Sequence, residues 1–156
     1  MVALVVTVAI IRFTGNDGED GRFAADFPSK PVHQTSTFAF GGTTTRTDIY
    51  MSEIGEDAVG VGVTNVSSLS DAQITEVLDT AARTSVAALG YRLTSRKPLT
   101  VDGDRALDIA ATGAPQITYR SRFIHHEGRI YQVIGIATNG HASDAYAEFL
   151  RSFRFT

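Results

Sequence analysis

One stretch, SDAQITEVLDTAARTSVAALG from Ser70 to Gly90, carries a helical period in a chain whose other segments mostly alternate and stop at glycine turns. Ser70 followed by Gln73 has the spacing of a capping box, in which side chain and backbone satisfy each other's orphan amides at a helix start. Gly90 stands where a left-handed residue ends a helix. Between them Ile74, Val77, Leu78, Ala81, Ser85, Ala88 and Leu89 recur at helical spacing and form one apolar stripe. A helix with a single stripe must bury it against a neighbour, and the flanking segments offer a sheet face.

Those flanks read as strands. Phe23 to Phe27 opens the domain, and Pro28 and Pro31 turn the chain. From Val32 to Phe40, Phe38 and Phe40 fall on one parity and His33, Thr35 and Thr37 on the other. After Gly41-Gly42, the run Thr43 to Ser52 puts Thr45, Thr47, Ile49 and Met51 on one face. A loop with Gly55 leads to Val59, Val61 and Val63, whose opposite face carries Gly60 and Gly62 and would admit a close neighbour. Beyond the helix, Tyr91 to Arg96 is expected to end at a Lys97-Pro98 break, and Asp102-Gly103 to turn into Ala106 to Thr112. After Gly113 and Pro115, Gln116 to Ile124 and Arg129 to Ala137 flank a hairpin turn at Glu127-Gly128.

The last of these strands has Ile130, Ile134 and Ile136 on one face and Tyr131, Val133 and Ala137 on the other, which predicts a central strand covered twice. Ala142 to Phe153, with Tyr146, Phe149, Leu150 and Phe153 at helical spacing, supplies the second cover. The expected class is α+β: an antiparallel sheet flanked by helices on both faces, an α/β/α sandwich.

At 156 residues the chain suits one domain with a real core. It has no Cys, which removes disulfides, thiolate metal sites, thiol catalysis and a lipidated lipobox cysteine. A net charge of -3 lacks the excess basic field that draws proteins onto phosphate backbones, so nucleic acid is not an expected partner.

The N-terminus divides into an apolar segment within residues 1–13 and a glycine- and acid-rich linker over 14–21, TGNDGEDG, ahead of a domain over 22–156. Met1 to Ile11 holds no charge, yet as a helix it would be only about 17 Å long, half of a ~30 Å hydrocarbon core. Three readings fit it: the stump of a longer membrane anchor, a signal-peptide core, or an added strand buried on both faces. A signal peptide wants a basic start and a small-residue cleavage site, and neither is written here. The solvated linker favours the anchor, although Arg12 lies on the side that basic residues usually avoid.

The order and punctuation of "FAADFPSKP", the central helix, "VDGDRALDI", "RFIHHEGRIYQVIGIA" and "AYAEFLRSFRF" resemble the PsbP-like α/β/α sandwich superfamily. Within it, the chain is similar to small bacterial lipoproteins and membrane-tethered domains of the LpqN type, over Arg22 to Thr156. The resemblance implies mostly extracytoplasmic or lumenal binding and assembly proteins, with another branch that binds a small GTPase in nuclear transport. It supplies no catalytic constellation to carry over. The matching residues Phe27, Pro28, Gly103, Gly128, Tyr131, Phe149, Ser152 and Phe153 read as fold determinants. The missing lipobox Cys departs from the lipoprotein pattern and would make any tether a peptide.

Candidate chemistry is sparse. His125, His126 and Glu127 are metal-ligand types, but adjacent strand residues project to opposite faces, so a hairpin tip is the plainer reading. Asn16, Asp17, Glu19 and Asp20 lack the ligand register of a calcium loop. Gly41-Gly42-Thr43-Thr44-Thr45 lacks the G-K-[ST] ending and following helix of a phosphate loop, and Asn65-Val66-Ser67 is a sequon of low specificity. No G-x-S-x-G elbow marks a nucleophile. Arg120 and Arg122 share a face with Ile124 and would serve either as an arginine-lined surface for an acidic partner or as the charges of a solvated sheet edge.

The expectation is a non-catalytic, cofactor-free binding or assembly domain, held outside a cytoplasmic membrane by its N-terminal segment and engaging an envelope protein or lipid-like ligand. The alternative is a soluble cytoplasmic adaptor of the same fold, with Met1 to Ile11 packed as a strand.

Overall fold

The computed structural model describes residues 23–40, 42–139 and 144–156. The apolar N-terminal segment, its linker and the acidic cluster at 16–20 lie outside the described residues, as do Gly41 and the expected start of the final helix at Ala142. The elements are β1 (Phe23–Ala24), β2 (Val32–Phe40), β3 (Thr43–Ile54), β4 (Asp57–Asn65), α1 (Asp71–Ala88), β5 (Arg92–Val101), β6 (Asp104–Gly113), β7 (Ile117–His126), β8 (Arg129–Ala137), α2 (Asp144–Ser152) and β9 (Arg154–Phe155). Seven strands form one antiparallel sheet in the order β2-β3-β4-β8-β7-β6-β5, and β1 pairs with β9 in a small second sheet.

Two tight hairpins set the register of the β5-to-β8 half. Asp102 and Gly103 have φ of 50° and 87°, and Glu127 and Gly128 have 45° and 74°. Positive φ at both central residues defines the turn whose twist matches the flanking strands, and it favours an Asp or a glycine there. The sequence reading of both turns holds. It fails at Lys97-Pro98: β5 runs unbroken to Val101, with Pro98 opposite Leu107. β5 is the last strand of the sheet, where a residue without an N–H is tolerated.

Two hydrophobic clusters form, and strict alternation along the strands sorts residues between them. Ile49, Met51, Ile130 and Ile134 join one cluster, whereas Tyr50, Val61, Tyr131 and Val133 join the other. α1 contributes Ile74, Val77, Leu78, Ala82 and Val86 to the first and packs on β5, β6 and β7. α2 contributes Tyr146 and Phe149 to the second and packs on β8 and β4. The expected α1 stripe is therefore corrected in its second half. Burial follows Leu78, Ala82 and Val86 at steps of four, while Ala88 is exposed and Ala81 and Leu89 are only partly covered. The space beside Gly60 is taken by the Met51 side chain and that beside Gly62 by Gln132, rather than by a helix.

The capping box is present as read. Gln73 N–H donates to Ser70 Oγ at 3.4 Å, and Ser70 N–H donates to Gln73 Oε1 at 2.9 Å. Ser70→Ala should lower unfolding free energy by about 1 kcal/mol, the usual value of such a cap, and urea titration of the two proteins checks it.

Candidate recognition surface beside the second helix

β7 carries both arginines singled out in the sequence, and its neighbours are β6 and β8. That placement corrects the sheet-edge reading: these charges lie inside the sheet plan and cannot guard an edge. Tyr119 and Phe123 point to the α1 cluster, so Arg120 and Arg122 project on the α2 side. Cross-strand register puts Asp108 opposite Arg122 and Gly135 opposite Arg120.

Arg122 is held fast. Its Nε donates to Asp108 Oδ1 at 2.6 Å and its Nη2 to Asp108 Oδ2 at 2.8 Å, a bidentate fork on a half-buried pair. Hydrogen bonding to Asp108 raises the Arg122 pKa further, against the opposing effect of its own burial. Arg120 is exposed, with its guanidinium 5.6 Å from the centroid of the Tyr146 ring, within cation-π range. Burial pushes the Tyr146 phenol up, and the nearby Asp108 charge adds to the effect, so its O–H stays protonated. The result is a fixed ion pair, an aromatic platform and an exposed planar cation at one place.

The histidines take structural positions. His126 Nδ1 lies 2.7 Å from Asp104 Oδ2, and its ring stacks on Phe155 at 3.8 Å and 14°. It thereby fastens β9 over the sheet end. His125 lies on the other parity, opposite Ile130 of the α1 cluster, and burial pushes its pKa below the ordinary value. Glu127 is exposed in the turn, its Oε2 4.0 Å from His126 Nε2. His125, His126 and Glu127 do not converge, and among the described residues no group of three His, Asp or Glu side chains is placed to hold a metal ion.

A second polar cluster was not read from the sequence. On β2 and β3, Asp48 Oδ1 receives Arg46 Nη2 at 2.6 Å and Thr35 Oγ1 at 3.3 Å and lies 2.8 Å from His33 Nε2, and the His33 ring stacks on Tyr50 at 4.7 Å. Partial burial works to raise the Asp48 pKa, but the hydrogen bonds from Arg46, His33 and Thr35 outweigh it and hold the carboxyl below its ordinary 3.8. A depressed carboxylate stabilises the fold above its unfolded pKa and loses that contribution as pH falls through the folded value. Asp48→Asn should therefore flatten the pH dependence of unfolding free energy below about pH 4 and leave its slope near neutrality unchanged, as acid-range urea titrations would record.

The order of strands, the sheet crossed by one long helix, and a short terminal helix ahead of a closing strand define a PsbP-like fold. Among solved structures the chain is similar to the solution structure of cyanobacterial PsbP (CyanoP) from Synechocystis sp. PCC 6803. The TM-score is 0.59 at 14% identity, over 97% of this chain and 96% of that one. A crystal structure of PA94, a protein of unknown function from Pseudomonas aeruginosa, aligns with 67% of this chain and 83% of its own at 13% identity. Its TM-score of 0.39 is too low to support an argument. No family model and no curated protein sequence matches the chain. At this identity the likeness defines the fold alone.

Proposed function

We propose that the chain is a non-catalytic binding or assembly domain, and that the arginine-bearing surface beside α2 is where it engages its partner. We read the two hydrophobic clusters as the two faces of one α/β/α sandwich of the LpqN-like kind, presented outside a cytoplasmic membrane by the N-terminal segment. The observation that carries the reading is Arg120, an exposed guanidinium laid over Tyr146 beside the fixed Arg122–Asp108 pair. A guanidinium held over a ring loses less freedom on binding than a loose lysine would, and it presents a fork that matches a carboxylate or phosphate. Arginine is also among the residue types that dominate binding energy at interfaces. The expected partner is thus an envelope protein with an acidic patch, or a lipid-like ligand with an anionic head.

Two measurements test this. Fractionation of natively expressed protein, with protease added to intact spheroplasts, should find it with the membrane and accessible; recovery in the soluble cytoplasm would sink the tether and favour a cytosolic adaptor. A photo-crosslinker at Thr118, which shares the face of Arg120 two residues along β7 and leaves that guanidinium in place, should yield a defined adduct that is lost with Arg120→Ala and is not formed from position 76, on the exposed part of α1. Equal adducts from both positions would remove the surface from consideration.

A further inference from the structure

The seven-stranded sheet has two edges, and they are built differently. β5, at one edge, reads RLTSRKPLTV: it carries Arg92, Arg96, Lys97 and Pro98, and its register shifts between Leu93 and Ser95. Charges, proline and a bulge are the devices by which natural sheets prevent another strand from adding. β2, at the other edge, reads VHQTSTFAF. Its nine residues include no Lys, Arg, Asp, Glu or Pro, and its pairing with β3 runs without a shift from Val32 to Phe40. Among the described residues β3 is its one strand neighbour, so every second residue of β2 turns its backbone N–H and C=O outward.

We propose that this edge is a self-association surface, at which β2 of a second copy of the chain adds antiparallel and joins the two sheets across a two-fold axis. The choice of a second copy rests on charge. A strand that pairs with its own copy brings each region of itself against the same region, so any ionised side chain near the axis meets its like. At β5 the basic cluster would oppose itself; at β2 nothing does. Centred near Ser36, the pairing sets Thr35 opposite Thr37 of the second copy, a favourable cross-strand hydroxyl pair, and both threonines are exposed. The two Thr37 side chains then stand diagonal to each other, roughly 7–8 Å apart. His33, the one titratable residue of the strand, is exposed, and its ring is already engaged within its own chain by the contact with Asp48 and the stack on Tyr50. A backbone ladder of this length buries little apolar area, so the dimer should dissociate on dilution.

Sedimentation of the full chain over a dilution series tests it. The expected mass rises with concentration from 16.7 kDa toward twice that value. Thr37→Lys and Thr37→Glu, each alone, should remain folded at the single-chain mass, the lysine melting slightly lower and the glutamate slightly higher because Thr37 stands opposite Arg46 of β3, and an equal mixture of the two should recover the double mass. In the unsubstituted chain, amide exchange over residues 32–40 should slow as concentration rises. A full chain that stays at single mass throughout overturns the proposal. So does association that survives both charged variants, which would assign the contact to another surface such as the apolar segment at 1–11, or association without added protection over β2, or a mixture that fails to associate.

Discussion

Tyr131→Ala should cost about 3–5 kcal/mol of unfolding free energy, the range for truncating a buried aromatic. Tyr131 is 1% exposed, and its ring lies 6.2 Å from Phe23, 6.0 Å from Phe153 and 5.0 Å from Phe155, centroid to centroid. Phe23 and Phe155 are themselves register partners in the β1–β9 pair. One side chain of a central strand thus gathers both ends of the described domain. Its loss removes transfer energy, leaves a cavity, and forfeits several ring contacts worth ~0.5–1.5 kcal/mol each. The damage should also have a location. In amide exchange, residues 23–24 and 154–155 should open before the β6–β7 ladder does. A loss below about 1 kcal/mol, with the termini still protected, would show that this aromatic cluster does not hold them.

Gly135→Val is the second large effect, and it acts through α2. A Cβ built on Gly135 would lie 2.5 Å from Tyr146 Cδ2 and 2.6 Å from both its Cβ and Cγ. Contacts with Cβ and Cγ cannot be relieved by turning a flexible tip, so the helix itself has to lift. Overpacking of this kind costs about 1–3 kcal/mol, and valine, with two further methyl groups, belongs at the upper end. Against it stands the gain of replacing glycine in a strand, roughly 0.5–1 kcal/mol, so the clash should win. Equilibrium unfolding measures the loss, and a double-mutant cycle with Tyr146→Ala identifies the cause: the penalty should shrink when the ring is absent. Alanine keeps the Cβ, so the penalty should shrink without vanishing, and an equal penalty with and without the ring would show that the ring is not the obstacle. Because Tyr146 is the platform under Arg120, the same variant should weaken any binding made through Arg120.

Several features were legible because their causes are contiguous. The helix start at Ser70, its end at Gly90 with φ of 69°, and the two hairpin turns are each written in a few neighbouring residues. The two-faced character of β8 followed from parity alone. The phase of α1's second half did not, because both Ala81 and Ala82 lie at helical spacing from Leu78, and only the position of the sheet beneath chooses between them. Pro98 looked like a stop because proline forbids a central ladder position, and edge status is a property of the whole sheet. Asp108 was overlooked as the partner of Arg122 for the same reason: the register between β6 and β7 has to be counted across a turn whose length the sequence does not declare.

By itself, then, the sequence determined the central helix with its cap, two tight turns, the two-faced alternation of β8, and that Arg120 and Arg122 share a face. Tertiary structure alone decided that β7 is an interior strand, that Arg122 is clamped while Arg120 lies on Tyr146, that β9 closes on β1, and which strands are edges. The division has a physical basis. Backbone sterics and capping act within a turn or two of chain, whereas strand order, register and face-to-face packing are settled by contacts between residues far apart in sequence, for which one chain's local pattern carries no signal.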